Sequence, residues 1–266
     1  MMSVEASPDL LGAIVAAART AVREREAACP LARLAEGRSF QPRGEDFTVS
    51  LRASPAPRII AECKRRSPSR GILRQSYEPA AHARSYAAAG AAAISVLTEP
   101  TFFDGALSHL ETVRHAVLTP LLRKDFIVTD YQVHEAAALG ADAVLLIAAA
   151  LDRHELRRLR DLAASLGLAA LVEVHSRIEL DLALDAGARI IGVNSRNLRT
   201  LKMDLDITAR LAAAIPPDIV SVAESGITSG DDLRRFAGLG YDAFLVGERL
   251  ITQPDPGAAL EALRNS

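Results

Sequence analysis

Four times along the chain, a helical stretch rich in alanine and leucine closes on a glycine and gives way to a short run of branched apolar residues. Ala87-Ala88-Ala89-Gly90 leads into Ala93-Ile94-Ser95-Val96-Leu97, and Ala138-Leu139-Gly140 into Ala143-Val144-Leu145-Leu146-Ile147. Asp185-Ala186-Gly187 leads into Ile190-Ile191-Gly192-Val193, and Gly238-Leu239-Gly240 into Ala243-Phe244-Leu245-Val246. A glycine without a Cβ permits the left-handed turn that ends a helix. The continuous apolar run after it is the mark of a parallel strand buried on both faces.

Further runs at Ile59-Ile60-Ala61, Pro120-Leu121-Leu122, Ala170-Leu171-Val172 and Val220-Ser221-Val222 bring the candidate strands to eight. They recur at roughly 20 to 35 residues, the length of a βα unit. Eight alternating units favour a closed α/β barrel, a (β/α)8 TIM barrel, over a doubly wound sheet of five or six strands. Residues 1–50 precede the first strand as a helical extension. Ser7-Pro8-Asp9 makes a good helix start, with a capping hydroxyl, a proline in the first turn and an acid near the positive helix end. Leu10, Ile14, Ala18, Ala21 and Val22 mark one helical face, and Pro30 interrupts the segment. That face is expected either to cover the open end of the barrel or to pack on its outer helices. No linker or low-complexity tract divides the chain, so residues 1–266 read as one domain.

Composition narrows the picture. A chain of 266 residues that is 49% hydrophobic and 24% charged suits one soluble barrel with a sizeable core. The net charge of −2 argues against a general nucleic-acid or anionic-membrane binder, while leaving room for a local basic pocket. Cys29 and Cys63 are too few for a disulfide framework or a cysteine metal site. The most apolar run, Val144 to Leu151, is far below the roughly 20 residues of a membrane span. Leu10 to Ala18 follows acidic residues rather than the basic start of a signal peptide, which points to the cytoplasm. Monomer and homodimer are equally compatible with these features.

In parallel barrels the chemistry sits at the C-terminal ends of the strands, so charges there are the ones to inspect. The first strand ends Glu62-Cys63-Lys64, and alternation puts Glu62 and Lys64 on the barrel face with Cys63 on the other. Lys124 ends the third strand, where it can donate a proton to a carbonyl oxygen. Glu173, between Val172 and Val174, is expected to face inward as a lone carboxylate whose pKa burial raises unless it is paired. His175 beyond it reads as a polar loop residue. Asn194 and Arg196 follow the sixth strand and suit hydroxyls and a phosphate or carboxylate. Glu224-Ser225-Gly226 and Gly247-Glu248 follow the seventh and eighth. The paired glycines let backbone N–H groups approach an anion, as a phosphate site requires.

The mouth therefore sets Lys64, Lys124 and Arg196 against Glu62, Glu173 and Glu224 beside a phosphate cradle. That suits a phosphorylated, doubly anionic small molecule and proton transfer. There is no His/carboxylate zinc cluster, Walker loop or G-x-G-x-x-G after a strand, and no cofactor is called for.

Taken together, these segments resemble the indole-3-glycerol-phosphate synthase family of tryptophan biosynthesis. The likeness is carried by Ile60 to Gly71, Leu122-Arg123-Lys124-Asp125-Phe126-Ile127, Val172-Glu173-Val174-His175, Asn194-Ser195-Arg196-Asn197-Leu198, Ala223-Glu224-Ser225-Gly226-Ile227 and Leu245-Val246-Gly247-Glu248, in family order. The resemblance implies a carboxy-lyase that closes the ring of 1-(2-carboxyphenylamino)-1-deoxyribulose 5-phosphate with loss of CO2 and water. It implies Lys124 as the acid at the ribulose carbonyl and Glu173 as its acid/base partner. Lys64 would bind phosphate or carboxylate and also transfer protons. Glu62, Asn194, Glu224 and Ser225 would position the substrate and the general acids. Ser67, Arg196, Gly226, Gly247 and the Glu248 backbone N–H would frame the phosphate. Phe126, Leu198 and apolar residues of the extension would bury the aromatic ring. Arg66, Ser195 and Arg249 depart from the family's usual residues without removing a catalytic group. Two rivals are an aminoaldose–ketose isomerase and an idle barrel. The first needs a Cys/Asp or Asp/Asp pair where this chain has Lys and Glu, and the second would have lost Lys124 or Glu173.

Overall fold

The architecture was obtained as a computed structural model that describes residues 9–36 and 40–266. Eight parallel strands pair in chain order, and the eighth closes on the first. They are Ile59–Cys63, Ala93–Leu97, Leu121–Lys124, Ala143–Ile147, Ala169–Val174, Ile190–Asn194, Val220–Glu224 and Ala243–Val246. Each coincides with a run expected from the apolar pattern. The four helix-closing glycines are all left-handed, with φ between 79° at Gly90 and 96° at Gly240. At Gly140 a Cβ would also strike the Arg114 side chain.

Strand alternation divides the core in two. Ile60, Leu122, Leu145, Leu171, Val222 and Leu245 fill the barrel interior. Ile59, Ala61, Cys63, Val144, Val172 and Val174 face the surrounding helices. Cys63 is thus outer core, as its position in the alternation required.

The extension forms three helices, α1 (Leu10–Ala28), α2 (Leu31–Glu36) and α3 (Gly44–Ala53). Asp9 caps α1 by accepting the Gly12 N–H; Ser7 and Pro8 of the expected helix start lie outside the described residues. α1 runs along the C-terminal rim. Its Leu11 and Ile14 join the inner cluster with Phe126 and Ile147, and Arg199 of the loop after the sixth strand pairs with Asp9 at 2.8 Å. Arg25 binds Glu135 at 2.7 Å.

α3 does something the sequence pattern did not reveal: it closes the opposite end. The Gly44 N–H donates to Gly167 O at 2.9 Å just before the fifth strand. The Arg52 guanidinium reaches the carbonyls of Pro217, Asp218 and Ile219 before the seventh. Phe47 and Leu51 enter the inner cluster fully buried. Removing a side chain of that size from water is worth about 1.5–3 kcal/mol. Among the described residues, no helix is long and apolar enough to cross a membrane.

Candidate active site

A cavity of about 450 Å³ opens at the C-terminal ends of the strands. Thirteen of the expected site residues line it: Glu62, Lys64, Ser67, Lys124, Phe126, Glu173, Asn194, Arg196, Leu198, Ser225, Gly226, Gly247 and Glu248. Glu224 lies beneath its floor, 1% exposed.

Lys124 is the hub. Its Nζ donates to Glu224 Oε2 at 3.2 Å and lies 3.5 Å from Glu173 Oε2 and 3.8 Å from Glu62 Oε1. Three strands thus deliver one carboxylate each to one ammonium. Glu62 also holds Lys64 Nζ at 2.5 Å, as their shared face demanded. Burial works against the charge on Lys124, but Glu224, Glu173 and Glu62 together raise its pKa well above the ordinary lysine value. Burial likewise opposes ionisation of Glu62, and Lys64 and Lys124 more than offset it, so that carboxyl is held low.

The two remaining acids divide, and the structure supplies the partners that decide each. Glu173 is not a lone carboxylate. Burial would raise its pKa, but Lys124, His175 and a hydrogen bond from Asn194 bring it below the usual range. Glu224 takes the opposite course: burial and the nearby Glu173 charge outweigh Lys124 and push it up to about 8. Where two close carboxylates share one ammonium, one of them keeps a proton. Burial and the Glu173 charge favour the protonated form at Glu224.

Two glycines make this crowding possible. A Cβ on Gly192 of the sixth strand would collide with Glu224 Oε1, and one on Gly247 with Glu62 Oε2. Gly247 therefore admits the Glu62 carboxylate, a role its expected part in a phosphate cradle had not suggested. Ser225 and Gly226 are both left-handed, at φ 66° and 76°, so the chain turns sharply after Glu224. A serine there is strained, a cost that tends to be kept at functional turns. The next helix start is already satisfied: Ser229 caps it, and Asp232 accepts the N–H groups of Thr228 and Ser229. The first N–H groups of the turn Glu248–Ile251 have no carbonyl a turn before them, so this is the end open to an anion.

The walls differ in character. On one side lie Ser67, Arg196, Gly226, Gly247, Glu248 and Arg249. Residues 66–67 and 71–72 pair as a small antiparallel hairpin, not anticipated from the sequence, and Arg70 Nε reaches Glu248 Oε1 at 2.9 Å. Arg65 pairs with Asp104 after the second strand. On the other side Phe126 joins Leu97, Phe103, Leu145 and Ile147, with the Phe103 and Phe126 rings 6.1 Å apart. Among the described residues none of α1 lines the cavity; Leu11 and Ile14 support the apolar wall from behind.

Behind Lys124 lies a buried network. The side chain of Arg123 is fully buried, 2.8 Å from Asp125 and 3.3 Å from Glu135, and Glu135 in turn holds Arg25 of α1.

Comparisons with known proteins identify the family. The family model described as indole-3-glycerol phosphate synthase matches residues 11–263. An indole-3-glycerol phosphate synthase of Nocardioides is 52% identical over 96% of this chain and 97% of its own. That of Saccharopolyspora erythraea is 48% identical over 96% of this chain and 94% of its own. Among solved structures, thiamine phosphate pyrophosphorylase from Pyrococcus furiosus superposes with a TM-score of 0.61 at 20% identity, covering 78% of this chain and 94% of its own. KGPDC from Streptococcus mutans gives 0.60 at 17% identity, covering 79% of this chain and 96% of its own. These two likenesses speak to the barrel alone.

Proposed function

This chain belongs to the indole-3-glycerol phosphate synthase family, and from that premise we propose how its cavity carries out the reaction. The protein is a carboxy-lyase of tryptophan biosynthesis. It converts 1-(2-carboxyphenylamino)-1-deoxyribulose 5-phosphate to indole-3-glycerol phosphate with loss of CO2 and water. The observation that carries the residue assignment is the convergence of Glu62, Glu173 and Glu224 on the Lys124 ammonium at the cavity floor.

The phosphate sits at the polar wall, framed by Ser67, Arg196, Gly226, Gly247 and the backbone N–H of Glu248. The aromatic ring lies on the apolar wall of Phe126, Leu198, Phe103 and Leu145. With both ends held, the ring carbon bearing the carboxylate is set against the ribulose carbonyl. As that carbon attacks, Lys124 gives its proton to the carbonyl oxygen, and Lys64 holds the substrate carboxylate until CO2 departs. The electron pair of the broken C–C bond restores the aromatic ring. Glu173 then serves the dehydration of the ring already closed, in which the new hydroxyl takes up a proton and leaves as water while a proton lost from the adjacent carbon leaves its electron pair to form the C=C bond of the five-membered ring. Asn194, Glu224 and Ser225 keep these groups in register. The extension and barrel act as one unit in the cytoplasm, taking a small phosphorylated substrate and neither nucleic acid nor membrane.

Purified protein mixed with the substrate should produce indole fluorescence, and Lys124→Ala should not. Binding without signal would indicate an idle barrel. Neither binding nor signal would overturn the substrate assignment. An isomerase is disfavoured by position: Cys63, the cysteine at the first strand end, is buried on the outer face.

A further inference from the structure

His175 stands one residue beyond the fifth strand, yet its side chain is only 8% exposed and lies behind Glu173 rather than in the cavity. Both ring nitrogens face carboxylates. Nδ1 is 3.1 Å from Glu179 Oε2, and the His175 backbone N–H donates to that same oxygen at 2.7 Å. Nε2 is 3.3 Å from Glu173 Oε1, within ion-pair reach but not aligned as a hydrogen bond, and both atoms are buried with no hydrogen-bond partner in the protein.

A neutral imidazole carries one N–H and one lone pair, so it would turn a lone pair toward one of its two anions. Only the imidazolium satisfies both. Its aim is set from the helix Arg177–Asp185: Ser176 caps the helix by accepting the Glu179 N–H, Glu179 sits in the first turn, and Glu179 grips the ring. The two oxygens of Glu173 are thereby divided. Oε1 faces His175, and Oε2 faces Lys124 at 3.5 Å.

We propose that His175 is a positioning residue, a cationic clamp aimed by Glu179 that fixes the Glu173 carboxylate through Oε1 and leaves Oε2 for Lys124 and the substrate. The clamp rests on the acid/base role assigned above to Glu173. The charges agree with the geometry. Burial alone would lower the His175 pKa, but Glu173 and Glu179 push it up to about 10, so the cation persists at neutral pH. Around Glu173 the opposing charges are Lys124 on the third strand and His175, with Glu62 and Glu224 as the neighbouring acids on the first and seventh.

Removing a neighbouring cation raises the pKa of a carboxyl, so less of Glu173 is ionised at a given pH. His175→Gln, neutral and similar in reach, should lower kcat on the order of tenfold. KM should stay within about twofold, because the clamp touches no substrate. The acid limb of the kcat–pH profile should move to higher pH. Glu179→Gln should act in the same direction and add little to His175→Gln in the double variant, since both loosen one clamp. An unchanged kcat and pH profile in His175→Gln would overturn the clamp. So would a kcat loss at all pH values with a lowered Tm and an unmoved acid limb, the signature of a packing role. Glu173→Gln, measured alongside, separates the two ideas. If it turns over like the parent protein, the role of Glu173 itself is wrong. If it is inactive while His175→Gln is unaffected, the clamp alone fails.

Discussion

The Lys124 ammonium donates to one oxygen of Glu224 at 3.2 Å, while the other oxygen of that carboxyl faces the bare Cα of Gly192. A cation supplied by the third strand is thus held by an acid on the seventh, in space left by a glycine on the sixth. Substrate chemistry at Lys124 therefore depends on several strands at once.

Replacing Lys124 by alanine should remove the proton donor without disturbing the phosphate wall. Turnover should fall by at least the roughly hundred- to ten-thousand-fold that general acid catalysis contributes, with substrate affinity largely retained. Single-turnover fluorescence beside a direct binding titration checks both halves; undiminished turnover would refute the assignment.

Gly247→Val places atoms where Glu62 Oε2 now lies and crowds the anion-facing turn. Binding of phosphate-bearing ligands should weaken about tenfold or more, judged from ordinary overpacking costs of about 1–3 kcal/mol. Displacement of Glu62 should lower kcat as well. Inhibition by inorganic phosphate is a suitable readout, and an unaltered constant would misplace the phosphate.

Glu224 makes a prediction about stability and pH. Its value of about 8 in the folded protein lies above the 4.5 of an ordinary carboxyl, so between these pH values the folded form keeps a proton that the unfolded chain has lost. Stability from this group is then greatest at low pH and falls as pH rises through that window. Thermal unfolding of the parent should lose Tm with rising pH more steeply than Glu224→Gln does. Parallel curves would show that Glu224 is ionised at neutral pH.

Arg123→Met removes a buried cation and leaves Asp125 without it, although Glu135 keeps Arg25. The loss should be about 3–5 kcal/mol, the usual result of breaking a buried pair from one side. Urea unfolding would reveal it, and a change under about 1 kcal/mol would mean the network carries little weight.

The barrel was legible because its strands are buried on both faces and its helices end on left-handed glycines, both visible as local pattern. The polar half of the cavity was legible for a related reason: a charge such as Glu62 or Lys124 interrupts a run that is otherwise apolar. Phe103, Leu145 and Ile147 gave no such interruption, since an apolar residue facing substrate reads the same as one facing core. His175 was within reach, because a residue two beyond Glu173 shares its face, but its partner Glu179 lies on the following helix. Gly192 was invisible for a different reason. The collision it avoids involves a side chain from another strand, and only the closed barrel brings Glu224 there.

The order in which the parts emerge during synthesis is the reverse of the order in which they can be satisfied. Phe47 and Leu51 leave the ribosome before any strand of the barrel, but α3 finds its partners at Gly167 and at Pro217 to Ile219. Until the second half of the barrel exists, the piece that seals its base has nothing to seal. A nascent chain paused midway would therefore carry an amphipathic helix whose apolar face, Phe47 and Leu51, has no floor to dock on, the kind of exposed surface that holding chaperones recognise.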